Sequence, residues 1–210
     1  RVDRWEDIVK LVNERNEEWV AAARRISPSL LVDLLKLTGD QVSRYYASLD
    51  PSSIGPGVSW AGPGPAPMWL HVAREYTERW HHQQQIREAA ERRLLTDRPM
   101  FHPVLATFVH ALPRTYRDIL AAAGTVIRVT IAGDAGGAWS LVRSRDSWNL
   151  FLEDDGEGGS EDAAAVPTSR ISIPQEDAWR LFTKSATTET VRPRVRVEGD
   201  QGLGLKALET

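Results

Sequence analysis

Apolar residues at Trp5, Ile8, Val9, Val12, Trp19, Val20 and Ala23 recur at helical spacing, which predicts a long helix over about 4–25 with one apolar face. Ser27 followed by Pro28 supplies an N-cap and a proline at the first helical position, so a second helix starts there. Leu30, Leu31, Leu34, Leu35, Val42 and Tyr45 carry it to about Leu49. Together they predict a helical hairpin. The stretch PSSIGPGVSWAGPGPAP is so dense in proline and glycine that no regular element is expected before a third helix runs from about Met68 to Arg93. After LLTDRPMFHP, Pro103 is expected to open a fourth helix, VLATFVHAL, which Pro113 kinks or ends before a last turn reaching about Ala123.

At Gly124 the period changes from 3.6 to two. TVIRVTIAG, AWSLVRS and SWNLFLE read as three consecutive strands joined at GDAGG and SRD. The acidic, glycine-rich EDDGEGGSED, 153–162, is expected to be a solvated loop. Beyond it the pattern predicts a strand at SRISI, a helix from about Gln175 to Lys184, a strand at RPRVRVEG and a closing helix around Leu203 to Leu208. The fold class is therefore α+β, with a helical domain over 1–123 and a small α/β domain over 124–210, divided between Ala121 and Gly124.

Composition narrows the function classes. The 210 residues are 41% hydrophobic and 26% charged, and the formal net charge of −3 gives nucleic acid or an anionic membrane surface no electrostatic preference. No apolar run approaches the roughly 20 residues that span a bilayer, so a soluble, cytoplasmic protein is expected. Residue 1 is Arg1 rather than Met, and a helical pattern is running within a few residues, so the chain is expected to continue on its N-terminal side and a leader peptide stays open. The chain has no cysteine. Any thiol chemistry must draw its sulfur from a cosubstrate.

The chemistry is concentrated in AREYTERWHHQQQIREAAERR. Glu78 and His82 are four apart, one helical turn, and a carboxylate with an imidazole suits zinc or a similar first-row ion. Taken alone, such a pair is more often a surface contact. Periodicity leans the same way, because Trp69, Val72, Ala73, Tyr76 and Trp80 form the apolar stripe and Glu78 with His82 lie half a turn away, although Ile86 and Ala89 flank that polar face. His71 and Glu75 share the face, yet His71 stands about 16 Å along the axis from His82, too far to join one ion. A third ligand must come from another segment. His81 points about 100° from His82 and reads as a partner contact or surface group, and His110 reads as a packed or capped histidine. His102 is the only other histidine.

AREYTERWHHQQQIREA, with VSWAG, AARRISPSLL and FVHALPRTYRD, resembles the mycothiol-dependent maleylpyruvate isomerase-like proteins of actinobacteria, within the DinB-like metalloprotein superfamily. VTIAGDAGGAWSLVR, ISIPQEDAWRLFTK and RVRVEGD resemble the sterol-carrier-like domain that follows this helical bundle, so the likeness spans nearly the whole chain. It implies a DinB-like bundle followed by a sterol-carrier-like mixed-sheet domain. It also implies an open three-ligand metal site, zinc for preference, to which Glu78 and His82 contribute and an earlier histidine, expected upstream of Arg1, completes the set. Mycothiol is the implied cosubstrate. Its thiolate would attack an electrophilic small molecule in an isomerisation or thiol transfer. Gln85, one turn past His82, could hydrogen-bond the cosubstrate or a metal-bound water, and is equally well a solvated glutamine.

Competing readings are a non-catalytic member that binds metal or a small ligand, and an interaction module, to which the Pro/Gly loop and eight tryptophans lend some weight. Arg143 and Arg145 are candidate substrate contacts, with surface charge as the default. Arg192, Arg194 and Arg196 alternate at strand period and are expected on one sheet face, while GDAGG and GDQGLG read as turns rather than phosphate loops.

Overall fold

The computed structural model describes residues 5–58, 60–62, 64–153 and 166–210. The acidic stretch expected as a solvated loop lies, apart from Glu153, outside the described residues, as do the side chains of Trp5, Ile8 and Val9. The chain forms two compact units, 1–49 and 50–210.

The first unit holds α1 (Trp5–Ala23) and α2 (Pro28–Ala47). Ser27 caps α2 as its sequence requires, its hydroxyl accepting the Leu30 N–H at 3.3 Å, with Pro28 opening the first turn. No residue of α2 is buried, so the apolar positions that predict this helix are not enclosed by the hairpin alone.

In the second unit the Pro/Gly stretch is more regular than expected. β1 (Ile54–Gly55) pairs antiparallel with β2 (Ala66–Pro67), closing the loop at its base. The carbonyls of Ser53 and Pro51 then accept the N–H groups of Met68 and Trp69, two of the orphan donors at the start of α3 (Met68–Ala89). α3 ends four residues before the expected Arg93, where Glu91 takes φ 52° and the chain reverses. Its buried stripe is also displaced from the expected one. Leu70, Thr77, Trp80 and Gln84 are buried, whereas Trp69 is exposed. Two polar groups thus occupy inward positions because each has a partner. Thr77 donates to the Arg74 carbonyl, and Gln84 accepts the Leu95 N–H at 3.0 Å.

α4 (Arg98–Phe108) begins a turn and a half before Pro103, at the N-cap Asp97 with Pro99 in the first turn, so Pro103 lies inside the helix rather than at its start. The helix tightens into a 3-10 turn at Val109–Ala111 and resumes as α5 (Leu112–Thr115), which is the interruption Pro113 predicts, with a shorter last turn than expected.

The sheet strands are β3 (Val126–Ala132), β4 (Gly137–Arg143), β5 (Trp148–Leu152), β6 (Ser169–Pro174) and β7 (Arg196–Gly199), in the order β5-β4-β3-β6-β7. Only the central pair, β3 with β6, is parallel. α6 (Gln175–Phe182), α7 (Thr188–Val191) and α8 (Gln201–Lys206) complete the unit. Ile127, Val129 and Ile131 of β3 and Ile171 and Ile173 of β6 meet Phe101 and Leu105 of α4 and Trp179 of α6 in one continuous core. The rings of Trp80 and Phe101 stack at 4.9 Å, and Trp179 meets Trp80 edge-on at 5.3 Å. That core crosses the 121–124 boundary expected from the change of period. The compact units part at Leu49.

Candidate functional site

α3 brings the three sequence-predicted site residues together on its exposed face. Glu78 Oε2 and His82 Nε2 stand 3.9 Å apart, with 58% and 66% of the respective side chains open to solvent. Gln85 Oε1 lies 2.9 Å from His82 Nδ1. Nδ1–H donates to Gln85 Oε1, which orients the ring so that Nε2 is the nitrogen on the Glu78 side. Carboxylate oxygen and imidazole nitrogen are both zinc donors, and two of them about 2 Å from a tetrahedral ion would lie roughly 3.3 Å apart. The observed spacing closes by a small side-chain rotation, so the pair fits two corners of such an ion. No third His, Cys, Asp or Glu converges on it among the described residues.

The other histidines are engaged elsewhere. His71 Nε2 contacts the Pro56 carbonyl and ties α3 to the Pro/Gly loop. His102 Nδ1–H points at the Ala135 and Gly136 carbonyls, at 3.0 and 3.1 Å. Arg98 also donates to Gly136, and Gln175 accepts the Ala135 N–H, so the GDAGG turn is a held structural joint. His110 lies edge-on to Trp69 at 5.1 Å, and burial holds its pKa below the usual imidazole value. His81 is not a free surface group. It packs against Trp179, its Nδ1 is buried, and burial followed by the neighbouring His82 charge lowers its pKa against the opposing effect of Glu78 and Glu88.

The arginine candidates resolve similarly. The Arg143 guanidinium sits 5.8 Å from the Trp148 ring centre, and Arg145 is exposed at the β4–β5 turn. Arg192 and Arg194 fall in a 3-10 turn and only Arg196 enters β7, so the three do not share a strand face. Arg194 instead grips Asp177 of α6 through two hydrogen bonds of 2.6 and 2.7 Å, and this contact raises its pKa. In GDQGLG, Asp200 caps α8 by accepting the Leu203 N–H at 2.9 Å, so this stretch is a helix start rather than a turn.

Sequence reasoning missed a cleft of about 580 Å³ whose wall includes Glu78 and His81. Its lining also includes Phe108 and Arg114, from α4 and α5, and Phe182 and Lys206, from α6 and α8. The only sequence signal was the succession of aromatic and basic residues in FVHALPRTYRD, because α6 and α8 reach the cleft through the sheet topology.

No protein-family profile matches the chain, and no curated protein does. Among solved structures, it is similar to sterol carrier protein 2 from Yarrowia lipolytica in its apo form, at 12% identity over 52% of this chain and 84% of that one, with a TM-score of 0.33. It is also similar to a ubiquinone synthesis protein, UbiJ-SCP2, at 17% identity over 51% of this chain and 85% of that one, with a TM-score of 0.28. No helix among the described residues is long and apolar enough to cross a membrane.

Proposed function

We propose that Glu78 and His82 are two protein donors of a divalent-metal site, zinc for preference, at which a low-molecular-weight thiol such as mycothiol is activated against an electrophilic small molecule. The observation that carries this reading is the 3.9 Å approach of Glu78 Oε2 to His82 Nε2 with Gln85 oriented on the other ring nitrogen. A bound divalent cation lowers the pKa of a thiol that reaches it, which makes thiolate available near neutral pH in a chain with no cysteine. Gln85, on Nδ1, orients the ring so that Nε2 is the nitrogen offered to the metal. Glu78 also lines the cleft, so an electrophile held there lies beside the activated sulfur. The reaction class is thiol transfer, or isomerisation through a reversible thiol adduct, and the family likeness of AREYTERWHHQQQIREA supports mycothiol as the thiol.

A second reading, a protein that binds metal or a small ligand without turnover, is favoured by the solvent exposure of the pair. Metal analysis of the purified protein and of Glu78→Ala and His82→Ala tests the shared premise. About one zinc per chain is expected in the parent and a loss of it in both variants; retention in both removes the assignment. Mycothiol that binds only to the metal-loaded protein and is consumed with an electrophile favours the enzyme. Metal without thiol binding favours the passive site.

A further inference from the structure

We infer that the cleft beside Glu78 is a binding site for a small aromatic carboxylate, with Arg114 as the residue that recognises its charge. This goes beyond the metal reading and does not depend on it. One end of the cleft is a continuous aromatic wall. The Trp60 and Phe108 ring centres are 6.2 Å apart, and those of Phe108 and Phe182 are 5.4 Å apart, each pair tilted rather than stacked. Such a wall offers faces and edges to a planar apolar group. At about 580 Å³ the space is of the size that encloses small organic ligands.

The lining also carries four cations, Arg114, Arg117, Lys184 and Lys206, which differ in how far they are already committed. Lys206 Nζ is 2.6 Å from Glu209, Arg117 is 3.0 Å from Asp118, and Lys184 Nζ donates to the Thr210 main-chain oxygen at 2.5 Å. The Arg114 side chain has no hydrogen bond or ion pair among the described residues. A guanidinium presents a planar fork that a carboxylate fits with two parallel hydrogen bonds. Because Arg114 is the one cleft guanidinium without a partner among the described residues, and Glu78, Asp118 and Glu209 in the lining repel further negative charge, the cleft suits a monoanion. The ligand lies with its ring against Trp60, Phe108 and Phe182 and its carboxylate on Arg114.

The test is calorimetric titration of the whole protein with naphthoate and with its neutral isostere naphthamide, with and without a chelator. The parent should bind naphthoate more tightly than naphthamide by about tenfold or more, the increment of a charge-assisted pair. Arg114→Gln should bring the two ligands within about twofold, because the charge contact alone is removed. Trp60→Ala should weaken both by a similar factor, and Arg145→Gln, a cation outside the cleft, should change neither. Circular dichroism of each variant separates loss of binding from loss of fold. Equal affinity for the two ligands in the parent, absence of naphthoate binding at millimolar concentration, or a preference that survives Arg114→Gln overturns the assignment. A preference abolished by the chelator also overturns it, since the anion would then sit on the metal, and that outcome leaves the metal reading standing.

Discussion

The Tyr116 hydroxyl donates to the Leu203 carbonyl at 2.6 Å, joining the end of α5 to α8 across a separation of 87 residues. Tyr116 is fully buried, and its ring meets Trp148 of β5 at 5.4 Å, so at this point the hydrogen bond ties two helices and the ring packing ties them to the sheet. Tyr116→Phe keeps the packing and leaves the Leu203 carbonyl without its donor. The expected cost is about 1–2 kcal/mol, read as a lower denaturation midpoint in urea. Burial raises the Tyr116 pKa well above the phenol value of 10.0, so the folded state holds a proton that the unfolded state releases first. Its contribution is intact below pH 10 and is lost as pH rises from there towards the folded-state pKa. The parent should therefore lose stability above about pH 10 more steeply than Tyr116→Phe does.

Gln85 holds His82 Nδ1 at 2.9 Å, and a ligand histidine depends on such a partner for its tautomer and ring orientation. Gln85→Leu should weaken zinc binding by roughly 10–100-fold while leaving both donors in place. Competition with a chromophoric chelator measures it. If zinc affinity is unchanged in Gln85→Leu but lost in His82→Ala, Gln85 is a solvated glutamine and has no part in the site.

The strands and the proximity of Glu78 to His82 were legible because each depends on a local period. β3, β4, β5 and β6 read directly from alternating residues, and a spacing of four on any helix brings two side chains together. What escaped depends on tertiary partners. Gln84 looks like one of three solvated glutamines in a row, yet it is fully buried because the Leu95 main chain returns to meet it. Trp69 looks like part of the apolar stripe and is exposed because Leu70 takes the inward position. Asp97, the start of α4, is a fainter signal in the sequence than Pro103, which also permits a helix start. The period change at Gly124 marks where helix gives way to strand, but no composition shift reveals that a single core spans it. Arg114 and Phe182 reach one cleft from segments whose meeting only the sheet topology determines.

His110 makes stability sensitive to mild acid. Burial lowers its folded-state pKa below the unfolded value of 6.5, so below that pH the unfolded chain takes up a proton that the folded protein resists. Its contribution is present above pH 6.5 and fades as pH falls through the lowered folded-state value. His81 adds a contribution of the same sign, since burial lowers it as well. His110→Phe keeps a ring against Trp69 and removes the titration. Between about pH 7.5 and 5.5 this variant should lose less stability than the parent in urea denaturation. An equal loss in both would assign the acid sensitivity to other groups.

Two glycines separate a backbone requirement from a mere absence of side chain. At Gly136 a Cβ would lie 1.8 Å from the Ile131 carbonyl oxygen, a main-chain atom at the end of β3 that cannot move without breaking its pairing with β4. Arg98 and His102 also hold the Gly136 carbonyl, which restrains the turn further. Gly136→Ala should cost about 2–4 kcal/mol and lower the melting temperature of the sheet unit. At Gly39, within α2, a Cβ meets nothing within 4 Å. Gly39→Ala removes only the excess flexibility of the unfolded chain and should stabilise α2 by about 0.5–1 kcal/mol, seen as higher residual helicity in far-ultraviolet circular dichroism on heating. If Gly136→Ala melts with the parent, the close approach of β3 to the GDAGG turn is wrong, and with it the placement of Arg98 and His102 around that turn.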